Sequence, residues 1–195
     1  MSEQDRWLDK PTLRGPRVLL RPFVEEDLPV VARILADPEI GRLTGSVTTT
    51  AEAMAATPEI DDRTREWYLT RAQAPDRLDL AVVDRERDLV VGEVVLNELD
   101  RDNRSCNFRT LIGPDGRDRG LGTEACRMIV DHGFSRLGMH RISLSVFDFN
   151  PRARRVYEKV GFVLEGTRRE SFRFDDDWID DHDMAILEQE WRARS

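Results

Sequence analysis

The chain has 195 residues, of which 39% are hydrophobic and 35% charged, with a formal net charge of −8. That length supports one substantial hydrophobic core and is short for two, so a single domain is expected. The acidic balance argues against the phosphate backbone of nucleic acid as the main partner and favours a cationic one. No run approaches the ~20 apolar residues that cross a bilayer. The polar start from Met1 to Lys10 lacks the layout of a secretion signal, so a cytoplasmic protein is expected.

In chain order, Val18 to Phe23 reads as a first strand, and Glu25-Glu26-Asp27 opens a helix to about Ala36, with carboxylates at its positive end. Arg42 to Thr57, rich in Thr, Gly, Ala and Ser, reads as a loop, and a helix is expected from about Pro58 to Ala74. Strands follow at Leu78 to Val83, Leu89 to Leu99 and Ser105 to Ile112, separated by the polar turns Asp84 to Asp88 and Asp100 to Arg104, as in an antiparallel meander. From Leu121 to about Leu137, Cys126, Val130, Phe134 and Leu137 recur at helical spacing, and Gly138 ends the helix. Arg141 to Phe147 alternates as a strand, a short helix starts after Asn150-Pro151, and strands at Val163 to Arg173 and Trp178 to Leu187 close the sheet. Glu188 to Ser195 could extend as a short charged helix. The β-α-β connection around the main helix makes its two flanking strands parallel neighbours in an otherwise mostly antiparallel α/β sheet.

Arg117-Asp118-Arg119-Gly120-Leu121-Gly122-Thr123 stands between a strand and an amphipathic helix. Such a loop aims unpaired N–H groups and the positive end of the helix dipole at one point, which is an anion site. No Gly-Lys-Ser/Thr follows, and Ala125 replaces the third glycine of G-x-G-x-x-G, so neither common phosphate loop fits. One strand further on comes Asn150-Pro151-Arg152-Ala153-Arg154-Arg155-Val156-Tyr157-Glu158-Lys159-Val160-Gly161-Phe162. Together these segments resemble the GNAT N-acetyltransferase superfamily over about residues 17 to 190. The branch that includes the ribosomal-protein alanine N-acetyltransferases is the most similar, through Leu19-Leu20-Arg21-Pro22-Phe23, Glu25-Glu26-Asp27 and Gly161-Phe162-Val163-Leu164-Glu165-Gly166. Relative to that branch, Ser46 to Thr57 resembles an insertion.

The resemblance implies a GNAT-like domain whose central parallel strands splay to admit the pantetheine arm of acetyl-CoA. It implies an acyltransferase that moves an acetyl group directly to a primary amine, a protein N-terminus or a small amine, in a ternary complex. A non-catalytic acyl-CoA-binding module of the same fold is the alternative, and a homodimer is compatible with either. The pyrophosphate is expected at Arg117 to Thr123, with charge from Arg117 and Arg119. Main-chain groups of Leu111 and Ile112 are expected along the pantetheine, an N–H near Leu111 at the oxyanion, and Asn150 as a side-chain contact that also fits a helix N-cap. Tyr157 is expected to protonate the departing thiolate, since a phenol is protonated at neutral pH. The branch often has a glutamate as base where this chain has Asn107, which cannot take a proton; Glu93, Glu98, Glu165, Asp180 or a water relay remain open. Cys106 and Cys126 read as core residues, and Asp175 to Asp183, with His182, as an acidic hairpin turn bordering the acceptor cleft. The spacing there matches no metal motif, and no metal is expected.

Overall fold

Ser105 to Ile112, alternating as far as Arg109, and Arg141 to Phe147 form two strands with the bounds the sequence predicts, and the rest of the fold is arranged around this pair. The computed structural model describes residues 3–194, with side chains from Arg6 onward. Its elements are α1 (Glu3–Leu8), β1 (Leu13–Arg14), β2 (Val18–Arg21), α2 (Leu28–Leu35), α3 (Pro38–Thr44), α4 (Thr50–Ala55), α5 (Asp62–Thr70), β3 (Leu78–Asp84) and β4 (Leu89–Asp100). These are followed by β5 (Ser105–Ile112), α6 (Leu121–Ser135), β6 (Arg141–Phe147), α7 (Pro151–Val160), β7 (Val163–Phe174), β8 (Asp177–Leu187) and α8 (Glu188–Arg192). One eight-stranded sheet runs β1-β2-β3-β4-β5-β6-β8-β7. Among the described residues, only β5 and β6 pair in parallel.

Each face of the sheet has its own cover. Leu20, Leu80, Val94, Phe108 and Ile142 pack into the main core with Leu121, Cys126 and Ile129 of α6. On the other face, Ala81, Val83 and Val90 meet Leu19, Phe23 and Val30, and Tyr68 of α5 packs with Leu28 and Val31 of α2. Both cysteines are buried and free, as expected.

Several boundaries differ from the sequence reading. The first strand stops at Arg21, before Pro22, which cannot donate to a ladder. Glu25–Asp27 is a 3-10 turn ahead of α2, and the helix expected from Pro58 begins only at Asp62, as α5, because the Asp61 side chain accepts from Thr64 N and caps it. The stretch Arg42 to Thr57, expected as a loop, contains the end of α3 and all of α4. Asp37 and Pro38 start α3, Gly45 ends it at φ 65°, and Thr49 caps α4 by accepting from Glu52 N. α1 was not foreseen, yet its Trp7 is 1% exposed and belongs to the main core. The charged helix at the end is α8; Ser195 lies outside the described residues.

Candidate active site

Parallel pairing of β5 and β6 covers only Ser105 to Asn107 against Arg141 to Ser143. Beyond it, β5 runs on to Ile112 and β6 to Phe147 without pairing, so the two strands form the arms of a V. Phe108, the first residue past the last pair, packs against Tyr157 and Phe162 with ring centroids 6.0 and 5.8 Å away. A cavity of about 590 Å³ occupies the V.

Ladder alternation decides which backbone groups face this gap. Gly113 N donates to Val91 O at 2.8 Å, and Glu93 stands opposite Leu111. In an antiparallel pair every second residue turns its N–H and C=O to its partner, so Leu111 is committed to β4 while Thr110 and Ile112 face the gap. Of the two residues expected along the pantetheine, Ile112 thus has its main-chain groups toward the gap and Leu111 does not; Thr110 takes that orientation instead. Close strand approach here depends on Gly92, where a Cβ would collide with the Leu111 carbonyl.

At the open end of β5 lies the predicted anion loop. Gly120 sits at φ 77° and Asp118 at φ 56°, and Glu124 N is the first in α6 to find a backbone acceptor, Gly120 O at 3.2 Å. Leu121, Gly122 and Thr123 thus present the N–H groups of an unfilled first turn. Arg117, Asp118, Gly120, Gly122 and Thr123 line the cavity; the Leu121 side chain is core and Arg119 points elsewhere. Neither arginine brings free charge: Arg117 pairs with Asp37 and Glu39, and Arg119 with Asp84 and Glu86. The guanidinium beside the loop is that of Arg17, 3.5 Å from where a Gly120 Cβ would stand, and it forms no ion pair among the described residues.

Tyr157 of α7 lines the same cavity from the α6 side and is 7% exposed. Burial, reinforced by the neighbouring Cys126, pushes its phenol pKa well above the ordinary value and keeps the proton on at neutral pH. Asn150 also lines the cavity, while its Oδ1 accepts from Ala153 N at 3.1 Å; it caps α7 and faces the gap at once.

Of the four carboxylates left open by the sequence, Glu93 alone lines this cavity. Burial and the nearby charge of Asp79 push its pKa up to about 7, against the opposing pull of Arg109 and of the Tyr68 hydroxyl, which donates to Oε2 at 3.2 Å. Glu165 is held by two hydrogen bonds from Arg141, at 2.6 and 2.5 Å, which keep its carboxyl below the usual range. Asp180 accepts from Glu170 N inside the last hairpin, and Glu98 lies exposed in a separate polar cleft. Asn107 donates to Asn97 Oδ1 at 3.0 Å, at the apex of the V. Cross-strand partners share a face of the sheet. Glu93 and Leu111 therefore project on the α2/α5 side, and Tyr157 reaches the gap from the α6/α7 side.

A family model described as an acetyltransferase (GNAT) domain matches residues 17–163. The chain belongs to the GNAT acetyltransferase family. Spermidine N(1)-acetyltransferase of Vibrio cholerae is 32% identical over 114 residues, 58% of this chain and 66% of that protein, so the match spans about two-thirds of the relative's length. YdaF of Bacillus subtilis, named as a candidate ribosomal N-acetyltransferase, is 28% identical over 102 residues, 52% of this chain and 56% of its own. The crystal structure of spermidine N-acetyltransferase from Vibrio cholerae in complex with CoA and spermine superposes with a TM-score of 0.78 at 24% identity, over 91% of this chain and 99% of that one. It shares the GNAT fold. Acetyl-CoA is the cosubstrate of the family.

Helix α3 and the acidic hairpin turn gather over the open end of the V. Ile40, Leu43 and Thr44 of α3 line the cavity. Asp175, in the acidic turn between β7 and β8, accepts from Thr50 N and Oγ1 at 2.8 and 2.5 Å, while its own N–H donates to Thr48 O. Arg42 of α3 lies over the Phe149 ring at 4.4 Å and 5.6 Å from the Phe174 ring of β7, which ties α3 to the hairpin as well. The Ser46 to Thr57 segment is thus latched to the hairpin. Among the described residues, no group of three or more His, Cys, Asp or Glu could hold a metal ion, and no helix is long and apolar enough to cross a membrane.

Proposed function

We propose that the chain transfers an acetyl group from acetyl-CoA directly to a primary amine within a ternary complex. The observation that carries this reading is that Glu93 and Tyr157 line one cavity from opposite faces of the sheet. Fit to the cosubstrate rests on three features: the free backbone edge at Thr110 and Ile112, the glycine cradle at Gly120 and Gly122, and the first-turn amides of α6. The thioester supplies an activated acyl carbon and a sulfur leaving group. Glu93 accepts the proton of the incoming ammonium; near pH 7 it is about half ionised, the poise a general base needs. Tyr157 returns a proton to the departing sulfur, and the N–H groups of Thr110 and Ile112 face the position where oxyanion charge develops.

Direct transfer is favoured over a covalent enzyme intermediate because burial pushes both thiols up to about 12, leaving almost no thiolate at neutral pH. A polyamine-type acceptor is supported by the relation to a spermidine N(1)-acetyltransferase, and a protein N-terminus by the weaker relation to YdaF. Thiol release from acetyl-CoA, followed with a thiol reagent across alkylamines, diamines, polyamines and N-terminal peptides, tests the proposal. Amine-dependent release is expected. Saturable coenzyme A binding without release by any amine would instead identify a non-catalytic acyl-CoA-binding module.

A further inference from the structure

The arms of the V carry one carboxylate that the transfer chemistry leaves unused. Asp181 on β8 stands opposite Phe147 on β6, and Glu93 on β4 stands opposite Leu111 on β5. Leu111 and Phe147 are each four residues, about 13 Å, beyond the apex pair Asn107 and Ser143, so the two carboxylates sit at equal height on opposite arms. Side-chain alternation puts both on the same face of the sheet, the one away from α6. Each lines the cavity.

Asp181 is 6% exposed, and its Oδ1 is buried with no hydrogen bond of good geometry among the described residues, the Ser145 hydroxyl being a nearby donor to the carboxylate. Its other oxygen accepts from Arg168 at 2.6 Å, and the same guanidinium lies 3.1 Å from Asp183 Oδ1. Two carboxylates share one cation, so this cluster is left one positive charge short. A buried carboxylate oxygen without a hydrogen bond of good geometry is costly to the fold, which is the condition a cationic ligand would relieve. Burial already pushes the Asp181 pKa upward, and an ammonium beside it would reverse that shift.

We infer that Asp181 anchors a second ammonium of the acceptor, so that the preferred substrate is a primary amine carrying another cationic nitrogen several bonds away. This rests on the transferase reading above and narrows its substrate class. Glu93 on β4 and Asp181 on β8 are separated by three inter-strand spacings at the apex, about 14 Å, and by more where the arms diverge. A chain of several methylenes spans this distance; a two-carbon diamine does not.

The test compares kcat/KM for 1,6-diaminohexane and hexylamine in the wild type, in Asp181→Asn and in Arg168→Gln. The wild type should prefer the diamine by about tenfold or more, the scale of a desolvated charge pair. Asp181→Asn should reduce that preference at least tenfold through the diamine KM. Arg168→Gln should increase it, because Arg168 is half-exposed and its loss frees the carboxylate. The opposed directions keep the result interpretable if the asparagine variant folds poorly. Equal rates for diamine and monoamine in the wild type, or an equal loss on both in Asp181→Asn, would overturn the anchor while leaving the transferase intact. No thiol release with any amine would overturn the transferase reading and the anchor with it.

Discussion

Replacing Glu93 with glutamine probes the proposed base through both stability and rate. The buried carboxyl titrates at about 7 in the fold against a reference near 4.5. Between those values the native state keeps a proton that the unfolded chain has released, so stability falls as pH rises through the window. The loss is complete above pH 7 and is on the order of 3 kcal/mol. Glutamine keeps an acceptor for the Tyr68 hydroxyl but cannot titrate. Urea unfolding from pH 4.5 to 8 should therefore show the variant gaining on the wild type by that order, most of it before pH 7. In kinetics, the wild-type kcat/KM should rise with a midpoint near 7, and Glu93→Gln should lose that limb along with about a hundredfold in turnover. Parallel stability curves for the two proteins, together with an unaltered acid limb, would refute the assignment of Glu93 as a buried base of raised pKa.

Tyr157→Phe keeps the ring packed against Phe108 and removes the proton donor; turnover should fall about a hundredfold while calorimetry shows acetyl-CoA affinity within a few-fold of wild type. Gly120→Val places a β-branched residue at φ 77°, costing about 1–2 kcal/mol in thermal unfolding, and directs a side chain over the first-turn amides, so coenzyme A affinity should drop at least tenfold. Arg17→Ala should weaken coenzyme A binding and flatten its salt dependence, whereas Arg119→Ala, which removes a guanidinium already paired with Asp84 and Glu86, should leave that salt dependence in place. Asp175→Ala unfastens α4 from the hairpin, and limited proteolysis should cut within residues 46–57 faster than in wild type.

Local pattern carried much of this architecture. β6 alternates through its length and β5 as far as Arg109, the β-α-β connection between them made their parallel relation readable, and Asn150-Pro151 announced α7 because cap and proline act within one turn. The short helices α3 and α4 were obscured by threonine, serine and glycine, which favour turns, although Asp37-Pro38, Gly45 and Thr49-x-x-Glu52 mark their ends. Glu93 could be named but not ranked among four carboxylates. Its signal was a lone charge in the otherwise apolar run from Leu89 to Leu96, a place where a carboxylate is buried at a cost. The neutralisation of Arg117 by Asp37 and of Arg119 by Asp84 links residues 80 and 35 positions apart, and no local pattern reveals it. Likewise, the turning of Thr110 rather than Leu111 into the gap follows from ladder phase, which needs the partner strand.

The most direct test of the central claim, that the gap between β5 and β6 receives the acyl carrier, is a crystal structure of the protein with coenzyme A. The pantetheine should lie in the V, hydrogen-bonded to the main chain of Thr110 and Ile112, with its sulfur near the Tyr157 hydroxyl and the pyrophosphate on the amides of residues 120–123. Coenzyme A bound outside the V, or a gap closed by continued pairing of β5 with β6, would contradict the account.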